Sequence, residues 1–309
     1  MDPHPWTARN LLLLGLTIFA WGTNYLFVHV GLTLAAPIWL AAFRAGSAAL
    51  ALGLFFSFVP PRVRLSGTDR LVALLIGVPN TAVFLGLWFT AAETVPPGTS
   101  AVIIYTFPLW VAFLSIPVLR RRLGFVHWAA IATGFGGILL VSQPWSGGPA
   151  PAIPLLELLG AAVSWAFATV VIQRYFRPDQ MASVNGHQLL AGAVVLLAFG
   201  FALDPSHLPA EAPVLWVSVA WLGIVGTAFA YSVWFHLLGR VPAPTLSAYL
   251  FLVPLVALSD SALFLGERLD LIQGAGVILV LCSIYGISRA KVNADEAVAR
   301  ASPESGGVE

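Results

Sequence analysis

The sequence predicts an all-α integral membrane protein: ten transmembrane helices in two inverted five-helix repeats, with both termini in the cytoplasm. Three observations lead there. Apolar residues make up 59% of the 309 and charged residues only 9%, where a soluble domain carries about 25% charge. Ten apolar runs each approach about 20 residues, the length that crosses the hydrocarbon core. Finally, residues 77–123 recur as residues 223–269.

The runs lie near residues 10–30, 36–58, 71–92, 97–119, 124–142, 155–173, 181–202, 214–237, 242–265 and 270–288, and are called spans 1 to 10. Span 1 is too long for a cleaved signal peptide and lacks a small-residue cleavage site, so it is expected to stay. None shows the strict alternation of a barrel strand. The connectors are short and rich in Pro and Gly: Val59-Pro60-Pro61, Pro96-Pro97-Gly98 and Gly147-Gly148-Pro149. The polar end is expected to be disordered. The expected layout is a cytoplasmic segment over 1–9, a first repeat over 10–143, a linker over 144–153, a second repeat over 154–289 and a tail over 290–309.

Basic residues set the orientation. With the N-terminus in the cytoplasm, that side receives Arg9, Arg62, Arg64, Arg70, the Arg120 to Arg122 run, Arg174, Arg177, Arg240, Arg289, Lys291 and Arg300. The far side receives only Arg268, and Arg44 lies inside span 2. One missed span would scramble this alternation.

The repeat has an offset of 146 residues. Gly77, Thr81, Trp88, Pro96 and Pro108 meet Gly223, Thr227, Trp234, Pro242 and Pro254, and Trp21 meets Trp165 at nearly the same offset. Each unit holds an odd number of spans, so the second must sit upside down relative to the first. Inverted repeats are a construction of secondary transporters, with the substrate site near the midplane between the halves.

Several function classes drop out. The net charge of +1 offers no basic surface for nucleic acid. Cys282 is the only cysteine, which excludes a disulfide framework and a cysteine metal cluster. Lys291 is the only lysine and stands in no G-x-x-x-x-G-K-[ST] loop. H-E-x-x-H is absent, and no pair of embedded aspartates frames an intramembrane enzyme. Nothing resembles a selectivity filter or a charged ring of a channel. No cofactor or metal is expected.

Local signatures carry a family resemblance. Span 1 holds Ala20-Trp21-Gly22-Thr23-Asn24, span 2 holds Ala42-Phe43-Arg44 after a proline, and span 9 ends in Leu265-Gly266-Glu267-Arg268-Leu269. With the repeat, these resemble the EamA-domain members of the drug/metabolite transporter superfamily over about residues 10–289. The first repeat departs from the pattern, ending in Arg120-Arg121-Arg122-Leu123-Gly124 without the Gly-Glu. Within the superfamily the chain looks most like the bacterial exporters of aromatic and other amino acids, the YddG-type group. That resemblance implies a carrier of the bacterial inner membrane that exports amino acids, aromatic and other neutral ones preferred. Its partners would be the amino-acid substrate and the lipid bilayer, as a monomer or a homodimer. The alternative cargo in the same fold is a nucleoside, a nucleotide sugar or a cationic drug. Phosphates call for several cavity cations and organic cations for buried acids, so a zwitterion fits the thin charge inventory better.

Polar and aromatic residues at mid-membrane depth are the candidate binding groups. Span 1 offers Thr17, Trp21 and Asn24 at i, i+4 and i+7, one helix face. Span 3 offers the stripe Asn80, Thr81, Phe84 and Trp88, and span 8 offers Thr227, Tyr231 and Trp234. Spans 4, 6 and 9 add Tyr105, Trp165 and Tyr249. Each can equally serve helix packing or interface anchoring.

Arg44 is the costliest of all in lipid, at about 2.5–3.5 kcal/mol on insertion scales. It either attracts a substrate carboxylate or holds the fold, for example through Asp260. His187 and Asp260 are the best placed by depth to carry a coupling proton. Pro108 and Pro254 sit mid-span at mirrored positions and kink their helices, as gates or as fixed bends. Gly134, Gly136 and Gly137 with Gly274 and Gly276 fit close helix contacts or a dimer face.

Overall fold

A computed structural model of the chain describes residues 6–95, 97–120, 123–143, 145, 151–204, 212–264 and 270–301. Within these, the side chains of residues 97–99, 142, 258, 260–264 and 287–301 lie outside the described set. The described residues are all helix, turn and coil, with no strand.

Helices begin where the local chemistry can satisfy their first amides. In α1 (Ala8–Leu32) the Thr7 hydroxyl accepts from the Asn10 amide. Helix α2 (Pro37–Phe58) opens on proline, whose missing N–H costs nothing at that position. In α3 (Gly67–Ala92) the Ser66 hydroxyl accepts from the Asp69 amide. Helix α4 comes in two pieces, Pro97–Ile104 and Phe107–Leu119, and ends at Arg120 in the left-handed region. Next come α5 (Phe125–Ser142), α6 (Ala152–Tyr175), α7 (Pro178–Leu203) and α8 (Pro213–Leu238). Helix α9 runs as Ala243–Ala248, a 3₁₀ turn Tyr249–Leu252, and Val253–Phe264, and α10 is Leu271–Ala301.

Helices α1, α2, α3, α6, α7 and α8 and the stretch Ser100–Leu119 are long and apolar enough to cross a membrane. Phe125–Val141, Ala243–Ala257 and Leu271–Gly286 are shorter apolar helices. Large apolar side chains such as Leu50 and Phe125 stand 75% and 85% exposed. A water-soluble surface would not carry so many; hydrocarbon is their solvent.

Two helices depart from α geometry inside the bundle. Residues Val78–Val83 of α3 and Trp221–Phe229 of α8 are π-helical. A π segment releases backbone carbonyls from the regular ladder. Side chains of neighbouring helices use them: Trp21 Nε1 donates to Gly226 O at 2.9 Å, and the Ser164 hydroxyl donates to Pro79 O at 2.8 Å.

Glycines let these helices approach. A Cβ on Gly77 would overlap the Gln188 carbonyl oxygen of α7, and one on Gly223 would overlap the Ser47 hydroxyl of α2. Helices α5 and α10 touch backbone to backbone, with a Cβ on Gly137 falling 2.8 Å from Gly276 O. Gly134 is pressed against Phe251. These three glycines are spent on packing within the chain, whereas Gly136 and Gly274 face open space.

Polar clamps hold the ends. Asp270 accepts from the Gln273 amide at 2.7 Å and from Gln143 Nε2 at 2.6 Å, tying α10 to the end of α5. Those bonds hold its carboxyl below the usual carboxylate range, the Gln273 amide first. Gln173 of α6 donates to Leu238 O and Val241 O, both at 2.7 Å, and accepts from the Ala243 amide at 2.8 Å. It therefore bridges the end of α8 and the start of α9. Gln173→Leu leaves three backbone groups unpaired and is expected to cost about 1–3 kcal/mol, read as a fall in melting temperature of the detergent-purified protein.

Helix α10 runs from Leu271 to Ala301. Its last turns are polar yet rich in Ala, Glu, Lys and Arg, which are strong helix formers. Helices α4 and α9 are interrupted about one turn before Pro108 and Pro254, which sit in the first turn of each restarted segment rather than in the middle of a bent helix. Proline tolerates that position because it has no amide to leave unpaired.

Candidate functional site

A cavity lies where α1, α2, α3, α4, α6 and α8 converge. Its walls are mostly aromatic: Trp21, Tyr25, Phe84, Trp88, Tyr105, Trp165 and Tyr231, with Ile104 beside them. Asn24 and Arg44 are the remaining lining residues.

The rings form one connected stack. Trp165 is 3.9 Å from Phe107 and 5.0 Å from Phe84 in stacked pairs, and meets Trp21 edge-on at 5.5 Å. Trp88 packs on Tyr25 and Phe84 at 5.7 and 5.5 Å. Such pairs contribute about 0.5–1.5 kcal/mol each beyond their area. The walls are therefore stiff as well as apolar.

The polar atoms of this cavity are unusual. Asn24 Oδ1, Arg44 Nη1, Trp165 Nε1 and the hydroxyls of Tyr25 and Tyr231 are all buried without a hydrogen-bond partner. A buried polar atom left unpaired costs about 1–3 kcal/mol. Five such atoms belong to residues that line this cavity, which makes it the candidate site.

Arg44 is fixed from behind. Its Nε donates to the Thr227 hydroxyl at 2.8 Å, and that hydroxyl donates onward to Leu222 O at 2.8 Å inside the π segment. The guanidinium carbon lies 5.4 Å from the Trp88 ring and 5.5 Å from the Phe89 ring, a cation–π geometry. Among the described residues no carboxylate lies within ion-pair distance of Arg44. The side chain of Asp260, the acid expected as its partner, lies outside the described residues.

Of the expected binding residues, Trp21, Asn24, Phe84, Trp88, Tyr105, Trp165 and Tyr231 line the cavity. The others do not. The Thr17 hydroxyl donates to Leu13 O at 3.0 Å within its own helix. Asn80 Nδ2 and the Thr81 hydroxyl both donate to Gln188 Oε1 of α7, at 2.9 and 2.6 Å. Thr227 supports Arg44 from the second layer. Trp234 packs behind Trp21 and Trp165 at 5.7 and 5.8 Å. Tyr249 packs on Trp6 at 4.9 Å. His187 is half-buried on α7, its Nδ1 2.7 Å from Ser183 O, away from the cavity lining. The π segments explain the split stripes: the extra residue per turn shifts the helix face, so Asn80 and Thr81 turn to α7 while Phe84 and Trp88 turn inward.

Tyr25 and Ile104 line the cavity but were not singled out in the sequence. Tyr25 lies one helical turn after Trp21 and next to Asn24, so the i, i+4 rule would have reached it. Ile104 carries no polar signal.

A bundle of apolar helices around a polar-edged cavity fits a membrane transporter. The model of the EamA-like transporter family matches residues 9–143 and 152–289. The chain belongs to that family. It is 29% identical over 281 residues to the uncharacterized transporter YvbV of Bacillus subtilis, spanning 89% of this chain and 90% of that one. It is 28% identical over 298 residues to the uncharacterized inner membrane transporter YedA of Escherichia coli K12, spanning 92% and 93%. A probable amino-acid metabolite efflux pump of Escherichia coli K12 is 26% identical over 282 residues, spanning 87% and 91%. One solved crystal structure shares the fold, with a TM-score of 0.76 at 18% identity over 91% of this chain and 98% of that chain.

Proposed function

We propose that the protein is a ten-span secondary carrier that exports amino acids, aromatic and other neutral ones, across the bacterial inner membrane. The observation that carries this is the cavity: unpaired buried polar atoms of both hydrogen-bonding kinds, set among rings and beside one fixed cation. The carboxylate and apolar side chain of a neutral amino acid complement that set, with Asn24 Oδ1 left to accept from the amino group. The amino-acid efflux pump among the relatives adds support, and an inner membrane transporter among them supports the location.

The mechanism would be alternating access between two inverted repeats, residues 10–143 and 154–289 joined by a linker over 144–153, with cytoplasmic termini. The mirrored packing favours it. Arg44 of α2 bonds Thr227 of α8, and Gln188 of α7 bonds Thr81 of α3. The π segments of α3 and α8 also lie about 146 residues apart. Pro108 and Pro254, beside the interruptions of α4 and α9, would be the hinges. Pro254→Ala restores an amide that can extend the helical ladder across the break. Exchange of labelled substrate is expected to slow several-fold, with the melting temperature unchanged or raised.

The test is flux from proteoliposomes loaded in turn with labelled phenylalanine, threonine, glutamate and a nucleotide sugar, with and without an imposed proton gradient. Saturable phenylalanine or threonine efflux is expected. Efflux of the nucleotide sugar alone from folded protein would replace the cargo and keep the carrier.

A further inference from the structure

The cavity's polar groups are unequal in number and charge. Arg44 is 1% exposed, and its single cation has no counter-charge among the lining residues. Its Nε is taken by Thr227, so the guanidinium plane is set, while Nη1 is buried without a hydrogen-bond partner. Tyr231 lines the same cavity as Arg44, and its hydroxyl is likewise unpaired. Trp165 Nε1 and the Tyr25 hydroxyl are further unpaired donors, and Asn24 Oδ1 is an unpaired acceptor.

Four donors, one of them carrying the positive charge, complement a carboxylate. A single cation is too little for a phosphate ester, and an amine finds no anion in the lining. A zwitterion would leave the occupied chamber with its positive charge uncancelled, whereas a monoanion would make it neutral. In a chamber walled by rings, net neutrality is worth much more than in water.

We propose that this site selects its cargo by a carboxylate on a ring-sized apolar body, that Arg44 Nη1 and the Tyr231 hydroxyl take the carboxylate, and that an α-amino group is dispensable. The inference rests on reading the cavity as the substrate site. It extends the cargo from amino acids to aromatic monocarboxylates without the amino group.

Binding to the purified full chain, followed by tryptophan fluorescence, tests it with four ligands: L-phenylalanine, 3-phenylpropionate, 3-phenylpropionamide and phenethylamine. The expected result is that 3-phenylpropionate binds at least as tightly as phenylalanine, and the amide and the amine at least about tenfold more weakly, as a charge-assisted hydrogen bond implies. Arg44→Gln should bring the acid-to-amide ratio close to one. Tyr231→Phe, which keeps shape and charge, should lower it several-fold and reports independently of whether Arg44→Gln folds. A purely structural role for either residue would weaken acid and amide together. Equal binding of acid and amide to the wild type, or an unchanged ratio in folded Tyr231→Phe, overturns the proposal. Phenylalanine flux without 3-phenylpropionate binding overturns it while leaving the amino-acid reading intact. Binding of 3-phenylpropionate without amino-acid flux supports it and removes the exporter reading.

Discussion

Trp165→Ala is expected to abolish flux and to lower stability by about 3–5 kcal/mol, the cost of removing a large aromatic side chain from a packed core. Trp165 is the hub of the ring stack, touching Phe107, Phe84, Trp21 and Trp234 at 3.9–5.8 Å. Only 4% of it is exposed, so the hole cannot be closed by a nearby surface side chain. The variant removes packing and a free cavity donor together. Trp165→Phe separates the two effects: it keeps most of the ring volume and deletes Nε1. Its melting temperature is expected to stay near that of the wild type while flux per folded molecule falls. A Trp165→Phe protein with normal flux would show that the indole nitrogen plays no part in cargo binding.

Gly77→Val is expected to have the second large effect. Even a bare Cβ there would overlap the Gln188 carbonyl oxygen, a backbone atom with no rotamer to give. Helix α3 would have to move off α7, breaking the bonds from Asn80 and Thr81 to Gln188. Overpacking of this kind costs about 1–3 kcal/mol before the lost bonds are counted. The measurement is thermal stability by monodispersity on size exclusion. Gly15→Ala and Gly53→Ala, at positions with open space around the glycine, are the matched controls. They are expected to lie within about 0.5 kcal/mol of the wild type. Equal behaviour of Gly77→Val and the controls would show that the α3–α7 approach is not tight.

The helices themselves were legible because length and hydropathy decide membrane spans almost alone. The cavity was half legible. Trp21 and Asn24, or Phe84 and Trp88, share a face at helical spacing and do turn inward. Asn80, Thr81 and Thr227 share the same apparent stripes, yet bond to Gln188 and Arg44. Hydropathy carries no mark of a π segment, and one extra residue per turn reassigns every polar group near it. Thr17 shows a second limit: a hydroxyl can be satisfied by its own helix one turn back, which no pattern of neighbours reveals. Arg44 was legible as costly but not in its role, because its partners sit on α8 and α3, far away in the chain.

The most direct measurement of the central claim is substrate protection of the cavity wall. Ile104→Cys, placed in a Cys282→Ala background, puts a single thiol in the cavity at a position with no polar role. Its rate of modification by a small membrane-permeant thiol reagent would be followed in proteoliposomes as phenylalanine is added. A saturable slowing is expected, half-complete at the same concentration that half-saturates flux. An unchanged rate in protein that transports phenylalanine would place the cargo elsewhere and contradict the assignment of this cavity.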